Sequence, residues 1–158
     1  MNRPWLMLLL GFFLGAPVVA AEIGVGAVFP ELQLEDQHGE AATLPGNAPL
    51  LIFAADKSAS DRVHRALEQR PRWLADHAVP FLADISGMPS MITRMFALPA
   101  MRERPYRIFP VGDADRVSFI PRQKGQVTVV RLDAGVVREI LMLADEAGLE
   151  AILDSPRR

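Results

Sequence analysis

The run at residues 50–54 has no polar position. Leu50-Leu51-Ile52-Phe53-Ala54 is apolar at every residue, so both of its faces need cover, as in a central strand with a layer on either side. Ahead of it, Glu31-Leu32-Gln33-Leu34 alternates polar and apolar, the period of a half-buried strand. Asp36-Gln37-His38-Gly39 is turn chemistry, and Ala42-Thr43-Leu44 reads as the short return strand before Pro45-Gly46-Asn47 turns again. Over residues 58–78 the period lengthens. Val63, Ala66, Leu67, Trp73 and Leu74 fall at helical spacing, with Ser58 or Ser60 as the expected N-cap and Asp61 in the first turn. Pro71 should kink or divide that helix.

Val79-Pro80-Phe81-Leu82-Ala83 is a second short buried strand. Residues 87–97 read as another helix, with Pro89 near its first turn and Leu98-Pro99 interrupting it. Residues 106–109 and 117–120 are expected to be extended. Residues 127–132 and 136–141 flank Asp133-Ala134-Gly135, a short hairpin loop, and residues 144–153 form the last helix. Strands and helices in this order predict an α/β sandwich, with helices on both faces of a mixed sheet.

Composition narrows the function classes. The chain has 158 residues, 50% apolar and 23% charged, enough for one domain with a real core. Acids and bases are interleaved and the formal net charge is −2, which excludes the one-sided basic footprint of a nucleic-acid binder. The densest basic run, Arg102-Glu103-Arg104-Pro105-Tyr106-Arg107, reads as a solvated face. There is no cysteine, so neither a disulfide framework nor thiolate chemistry is open to it. At the N-terminus Arg3 precedes an apolar stretch from Trp5 to Leu14, then Gly15-Ala16-Pro17 and a small-residue ending. Val19 and Ala21 stand where a signal peptidase expects small side chains, just before Glu22. The stretch falls short of the ~20 apolar residues that span a bilayer. The expectation is a cleavable signal over residues 1–21, then one periplasmic domain over residues 22–158 with no membrane insertion after cleavage.

Two stretches carry a resemblance. Phe29-Pro30-Glu31-Leu32-Gln33-Leu34-Glu35-Asp36-Gln37-His38-Gly39, followed by Leu44 and by the strand from Leu50 to Ala55, resembles the N-terminal half of the thioredoxin-like superfamily. The branch is that of peroxiredoxins and periplasmic thiol–disulfide oxidoreductases. Pro121 ahead of the strand at residues 127–132, then Asp133-Ala134-Gly135-Val136 and a closing helix, is similar to its C-terminal half. The resemblance implies a thioredoxin-like three-layer sandwich around a central mixed sheet. Its Cys-x-x-Cys would fall on Ser58-Ala59-Ser60-Asp61, and its preceding aromatic on Lys57. The Pro and Thr of the peroxidase pattern would fall on Leu51 and Ala55. The fold is therefore implied and the family's chemistry denied. Pro121 matches the family's cis-proline, beside which an extended peptide is held. The candidate groove is accordingly Lys57, Ser58, Asp61, Ile120, Pro121 and Arg122, made cationic by Lys57 and Arg122.

Three other constellations have weaker claims. Met88, Met91, Met95 and Met101 have the softness that selects copper(I), but Met91 and Met95 with Ile92 and Phe96 also read as the buried stripe of a helix. His38 reads as a turn residue, and His64 and His77 as helix-surface residues without metal-ligand spacing. No Gly-x-Ser-x-Gly elbow or phosphate loop is present. The expected function is a non-catalytic binding module without a cofactor, acting on a periplasmic protein or peptide. The alternatives are copper handling by the methionines, or an enzyme of non-thiol chemistry using Lys57, Ser58 and Asp61.

Overall fold

Two short strands, β1 (Leu32–Glu35) and β2 (Ala41–Leu44), pair antiparallel in the computed structural model, which describes residues 21–155. The expected signal segment, up to residue 20, lies outside the described residues. The alternation of β1 does what its sequence demands, with Leu32 and Leu34 buried and Gln33 and Glu35 exposed. Between β1 and β2 the Asp36 carboxylate accepts from the backbone N–H groups of His38 and Glu40, both at 2.9 Å. β3 (Leu50–Ala54) follows, buried at all five positions.

The connection after β3 carries α1 (Lys57–Leu67) and the single turn α2 (Trp73–Asp76), which Pro71 separates as expected. The chain then enters β4 (Phe81–Asp84). A second helical connection begins with α3 (Ser90–Ile92), passes through a π-helical turn at Thr93–Ala97, and continues as α4 (Leu98–Arg102). It leads to β5 (Phe109–Val111) and a 3-10 turn at Ala114–Val117. The hairpin of β6 (Val127–Asp133) and β7 (Val136–Leu143) and the helix α5 (Glu146–Asp154) complete the domain. The five-stranded sheet has the order β5-β4-β3-β6-β7. β3, β4 and β5 run parallel, and β6 and β7 run antiparallel to their neighbours.

Two crossovers of one hand, moving in one direction along a sheet, put their helices on one face. That face holds Val63 and Leu67 of α1, Leu74 of α2, Met101 of α4 and Leu149 and Ile152 of α5, packed on Ile52, Phe81 and Val129. The opposite face, built from Leu51, Phe53, Leu82 and Val130, is covered by Phe29, Leu32, Leu34, Leu44, Val117 and Ile120. The mixed-sheet sandwich predicted from the sequence is therefore present, but its α-helices share one face, and the β1–β2 hairpin with the 3-10 turn covers the other. Its two sheet faces divide β3 residue by residue, which is why that strand has no polar position. Among the described residues no helix is long and apolar enough to cross a membrane.

Several local expectations need correction. The helix after β3 is capped by Asp56, not by Ser58 or Ser60: Asp56 is extended at φ −153° and its side chain accepts from Ala59 N. Leu98-Pro99 does not interrupt the second helix. The π turn bonds Leu98 N back to Thr93 O, and Pro99 then falls in the opening turn of α4, where its missing N–H costs little. Residues 117–120 are not extended, because Asp113 caps a 3-10 turn there. The cis proline bond is Leu44–Pro45, and Ile120–Pro121 is trans. The β6–β7 loop takes positive φ at Ala134 (49°) and Gly135 (78°), the two-residue turn whose twist suits a hairpin.

Helix 90–102 also reverses the expected burial. Met91, Ile92, Met95 and Phe96 are 68%, 43%, 61% and 61% exposed, whereas Met88, Leu98 and Met101 pack on the core. Between Ile85 and Met101 the only charged residue is Arg94, and apolar side chains stand on both the inner and the outer side of the segment. Periodicity alone does not say which side of such a helix faces in.

Candidate functional site

The site forms where the parallel strands end. Beyond β3 the backbone must stop bonding to the sheet and start a helix, and Asp56 manages that transition. One carboxylate oxygen accepts from Ala59 N at 2.9 Å and the other from Gly125 N at 2.6 Å. Arg62 of α1 donates to the Gly125 carbonyl, so the loop before β6 is held from both sides on the start of α1. Burial raises the Asp56 pKa. The N–H groups of Gly125, Ala59 and Ser58, with Lys124 nearby, more than offset that and leave it below its ordinary 3.8.

A cavity of about 240 Å³ opens between the first turns of α1, the end of β4 and helix 90–102. Its floor is apolar: Ala83, Ile85, Met88, Ala97, Ala100 and Met101. The rim carries Asp56, Lys57, Asp61, Asp84 and Arg104. One wall is Ser60 with His64, one helical turn apart on α1. Such crevices beyond the carboxyl ends of parallel strands are where open α/β sheets bind ligands.

His64 organises that wall. Its Nδ1 lies 2.7 Å from the Tyr106 hydroxyl, and its Nε2 lies 3.3 Å from Ser60 Oγ. The ring stacks with Tyr106 and meets Phe81 edge-on, with centroids 5.9 and 5.6 Å apart. Burial, then repulsion from Arg104, partly offset by the pull of Asp61 and followed by a smaller repulsion from Lys57, lowers its pKa to about 4. The imidazole is therefore neutral at pH 7. Burial also raises the Tyr106 pKa, so that hydroxyl stays protonated. A general base works best with a pKa near the working pH. An imidazole held near 4 is a poor activator of the Ser60 hydroxyl, and the arrangement suits ligand contact better than acyl transfer.

The six residues of the expected groove divide. Lys57 and Asp61 do reach the cavity, where they pair with each other at 2.5 Å as exposed neighbours one turn apart. Ser58 is exposed beside Gly125: a Cβ added at Gly125 would meet Ser58 Oγ at 3.9 Å. The segment after Pro121 thus does come to the start of α1. Ile120 is fully buried in the second core, however, and Pro121 is also buried, its carbonyl accepting from Thr128 Oγ1 at 2.7 Å. Arg122 donates to Asp84 at 2.7 Å and to the Val117 carbonyl at 2.8 Å, and its guanidinium lies 5.0 Å from the centre of the Phe53 ring. Neither Lys57 nor Arg122 is an uncommitted cation, so they do not make the groove cationic.

The methionines divide as well. Met88 and Met101 line the cavity, while Met91 and Met95 are exposed and outside it. His38 sits in the turn, as expected, and His77 stacks on Trp73 with centroids 4.4 Å apart. His64 is not the helix-surface residue expected. Among the described residues no group of three or more His, Asp or Glu could hold a metal ion. Sequence reasoning missed Ser60–His64 as a pair and missed Arg104. The spacing Ser60-x-x-x-His64 was legible, but Tyr106, which holds His64 in place behind the wall, lies 42 residues further on.

No protein-family model matches the chain, and no curated protein matches it. Solved structures do match. A candidate protein disulfide isomerase from Bacteroides thetaiotaomicron superposes with a TM-score of 0.59 at 14% identity, over 87% of this chain and 91% of that one. A peroxidoxin from Mycobacterium tuberculosis gives 0.57 at 13% identity, over 84% and 96%. The thioredoxin domain of a thiol–disulfide oxidoreductase from Bacteroides vulgatus gives 0.55 at 9% identity, over 87% and 100%. At such identities the likeness is one of fold. The fold is thioredoxin-like, and this chain carries it without any cysteine.

Proposed function

We propose that this cysteine-free thioredoxin-like chain is an exported, non-catalytic binding protein of the periplasm, whose site is the cavity between α1 and helix 90–102. The observation that carries this reading is the cavity itself. It is an apolar hollow at the carboxyl ends of β3 and β4, bordered by a few polar groups of fixed orientation. A neutral His64, tied to Tyr106 and close to Ser60, supplies directed hydrogen-bonding capacity without a strong base. The absence of any thiol removes the chemistry that a thioredoxin-like fold performs with cysteines, and leaves recognition as the use of this position. Export rests on the N-terminal pattern that ends at Ala21. The partner class that fits these features is a periplasmic protein or peptide presenting a compact apolar group.

The test is capture from envelope extract by the mature chain, compared with the variant Ala97→Phe. Ala97 lines the cavity and is half-buried, so a larger side chain there occupies the hollow without entering the sheet core. The expected result is a component retained by the wild type and lost by the variant, with unchanged circular dichroism. Equal retention by both would remove the cavity from the proposal.

A further inference from the structure

We infer that the cavity selects a small amphipathic anion, with its apolar part on Met88, Ala97, Ala100 and Met101 and its single negative head on Arg104. The inference rests on the binding role proposed for the cavity and adds the ligand's chemistry.

The size and floor set the apolar part. At about 240 Å³ the hollow is smaller than the ~300–1,000 Å³ typical of sites for drug-sized ligands. It therefore suits a short chain or one branched side group. Methyl groups offer no hydrogen bonds and thioethers only a weak acceptor, so a polar group placed there would lose its water with little compensation.

The charges on the rim set the head. Asp56 spends both carboxylate oxygens on backbone N–H groups. Lys57 and Asp61 are paired with each other. Asp84 is 4% exposed and accepts from Arg122, from Ser86 Oγ and from Ser86 N. Arg104 differs: it lines the cavity, is exposed, makes no ion pair among the described residues, and its side chain is engaged only by the neutral Tyr106 hydroxyl. Its planar guanidinium presents forked donors that match a carboxylate, sulfonate or phosphate head. Beside it Ser60 adds a hydroxyl, while the buried Tyr106 hydroxyl is held by His64, and neutral His64 adds no repulsion to a cation or an anion. A cationic ligand would face Arg104 while finding each carboxylate already engaged.

The location also provides an internal reporter. Arg104 helps to hold the His64 pKa down, so an anion seated on Arg104 should relieve that repulsion and a neutral molecule should not. Lys57, Asp61 and Tyr106 are the other ionisable groups near the ring, and none of them is altered in the comparison.

The experiment is calorimetry at pH 7 on the mature chain with hexanesulfonate, hexanol and hexylammonium, followed by an NMR titration of the His64 ring with each. Hexanesulfonate stays ionised throughout. It should bind at least tenfold more tightly than hexanol, because only the sulfonate gains charge-assisted hydrogen bonds from Arg104. It should also leave the His64 pKa higher than hexanol does, with His38 and His77 as unmoved controls. Arg104→Met should abolish both differences while keeping the weak binding of hexanol. Equal binding of all three probes would overturn the anion assignment yet leave the cavity as the binding site. No binding of any probe, together with unchanged partner capture by Ala97→Phe, would overturn both the assignment and the cavity.

Discussion

Replacing Asp56 with alanine removes one side chain but two separate supports. The first is the N-cap: Asp56 accepts from Ala59 N, and loss of such a cap costs about 1 kcal/mol, within a range of ~0.5–2. The second is the bond from Gly125 N at 2.6 Å, which fastens the loop before β6 to the start of α1. A hydrogen bond to a charged acceptor contributes ~1.5–3 kcal/mol. Arg62 still holds the Gly125 carbonyl, so the lower part of that range applies. Asp56→Ala should thus destabilise the domain by about 2–4 kcal/mol. Ser58→Ala should change stability by no more than about ±0.5 kcal/mol, because Ser58 is exposed and its hydroxyl makes no hydrogen bond among the described residues. Urea denaturation of the mature chain, followed by far-UV circular dichroism, reads both changes as shifts in midpoint at constant slope. The Asp56 contribution has a defined pH dependence. Its folded-state pKa lies below the ordinary 3.8, so the stabilisation is fully present above that value. It is lost as the pH falls through the lower folded-state value, and the gap between wild type and Asp56→Ala should close there. A larger loss for Ser58→Ala than for Asp56→Ala would refute the capping assignment, and with it the way the loop is anchored.

Arg122→Met should cost about 2–3 kcal/mol by unpairing the buried Asp84 carboxylate, and adding Asp84→Met should restore part of it, measured by the same denaturation series. Under mild peroxide, mass spectrometry should find Met91 and Met95 oxidised well before Met101, because they are 68% and 61% exposed against 8%. N-terminal sequencing of protein recovered from its host should begin at or within a residue or two of Glu22, and a membrane-bound species retaining Met1 would contradict export.

How much of this was legible beforehand depends on where the information lies. β3 was readable to the residue because burial on two sides leaves no polar position, and the β6–β7 hairpin because its turn needs residues that accept positive φ. Pro71 was readable as a divider for the same local reason. The α1 cap was misassigned because Asp56, Ser58 and Ser60 are all good caps by composition. What selects Asp56 is the N–H of Gly125, 69 residues away. Helix 90–102 misled for another reason: it is apolar on both sides, so its pattern held no information about which side meets the sheet. Of the candidate groove, Lys57 and Asp61 reach the cavity because they lie on the first turns of α1. Arg122 is committed instead to Asp84, a partner across the chain that no local pattern reveals. The His64 wall depends on Tyr106, which the basic run around it disguised as a solvated face.

The central claim is that the chain acts by binding at the cavity between α1 and helix 90–102. The most direct measurement is an amide NMR spectrum of the isotopically labelled mature chain, recorded before and after adding the component captured from envelope extract. The account predicts shifts concentrated at residues 56–64, 83–88 and 97–104, saturating with added component and absent in Ala97→Phe. Shifts confined to the outer edge of β7 or to the exposed face of Met91, Ile92, Met95 and Phe96, with residues 56–64 unmoved, would contradict it.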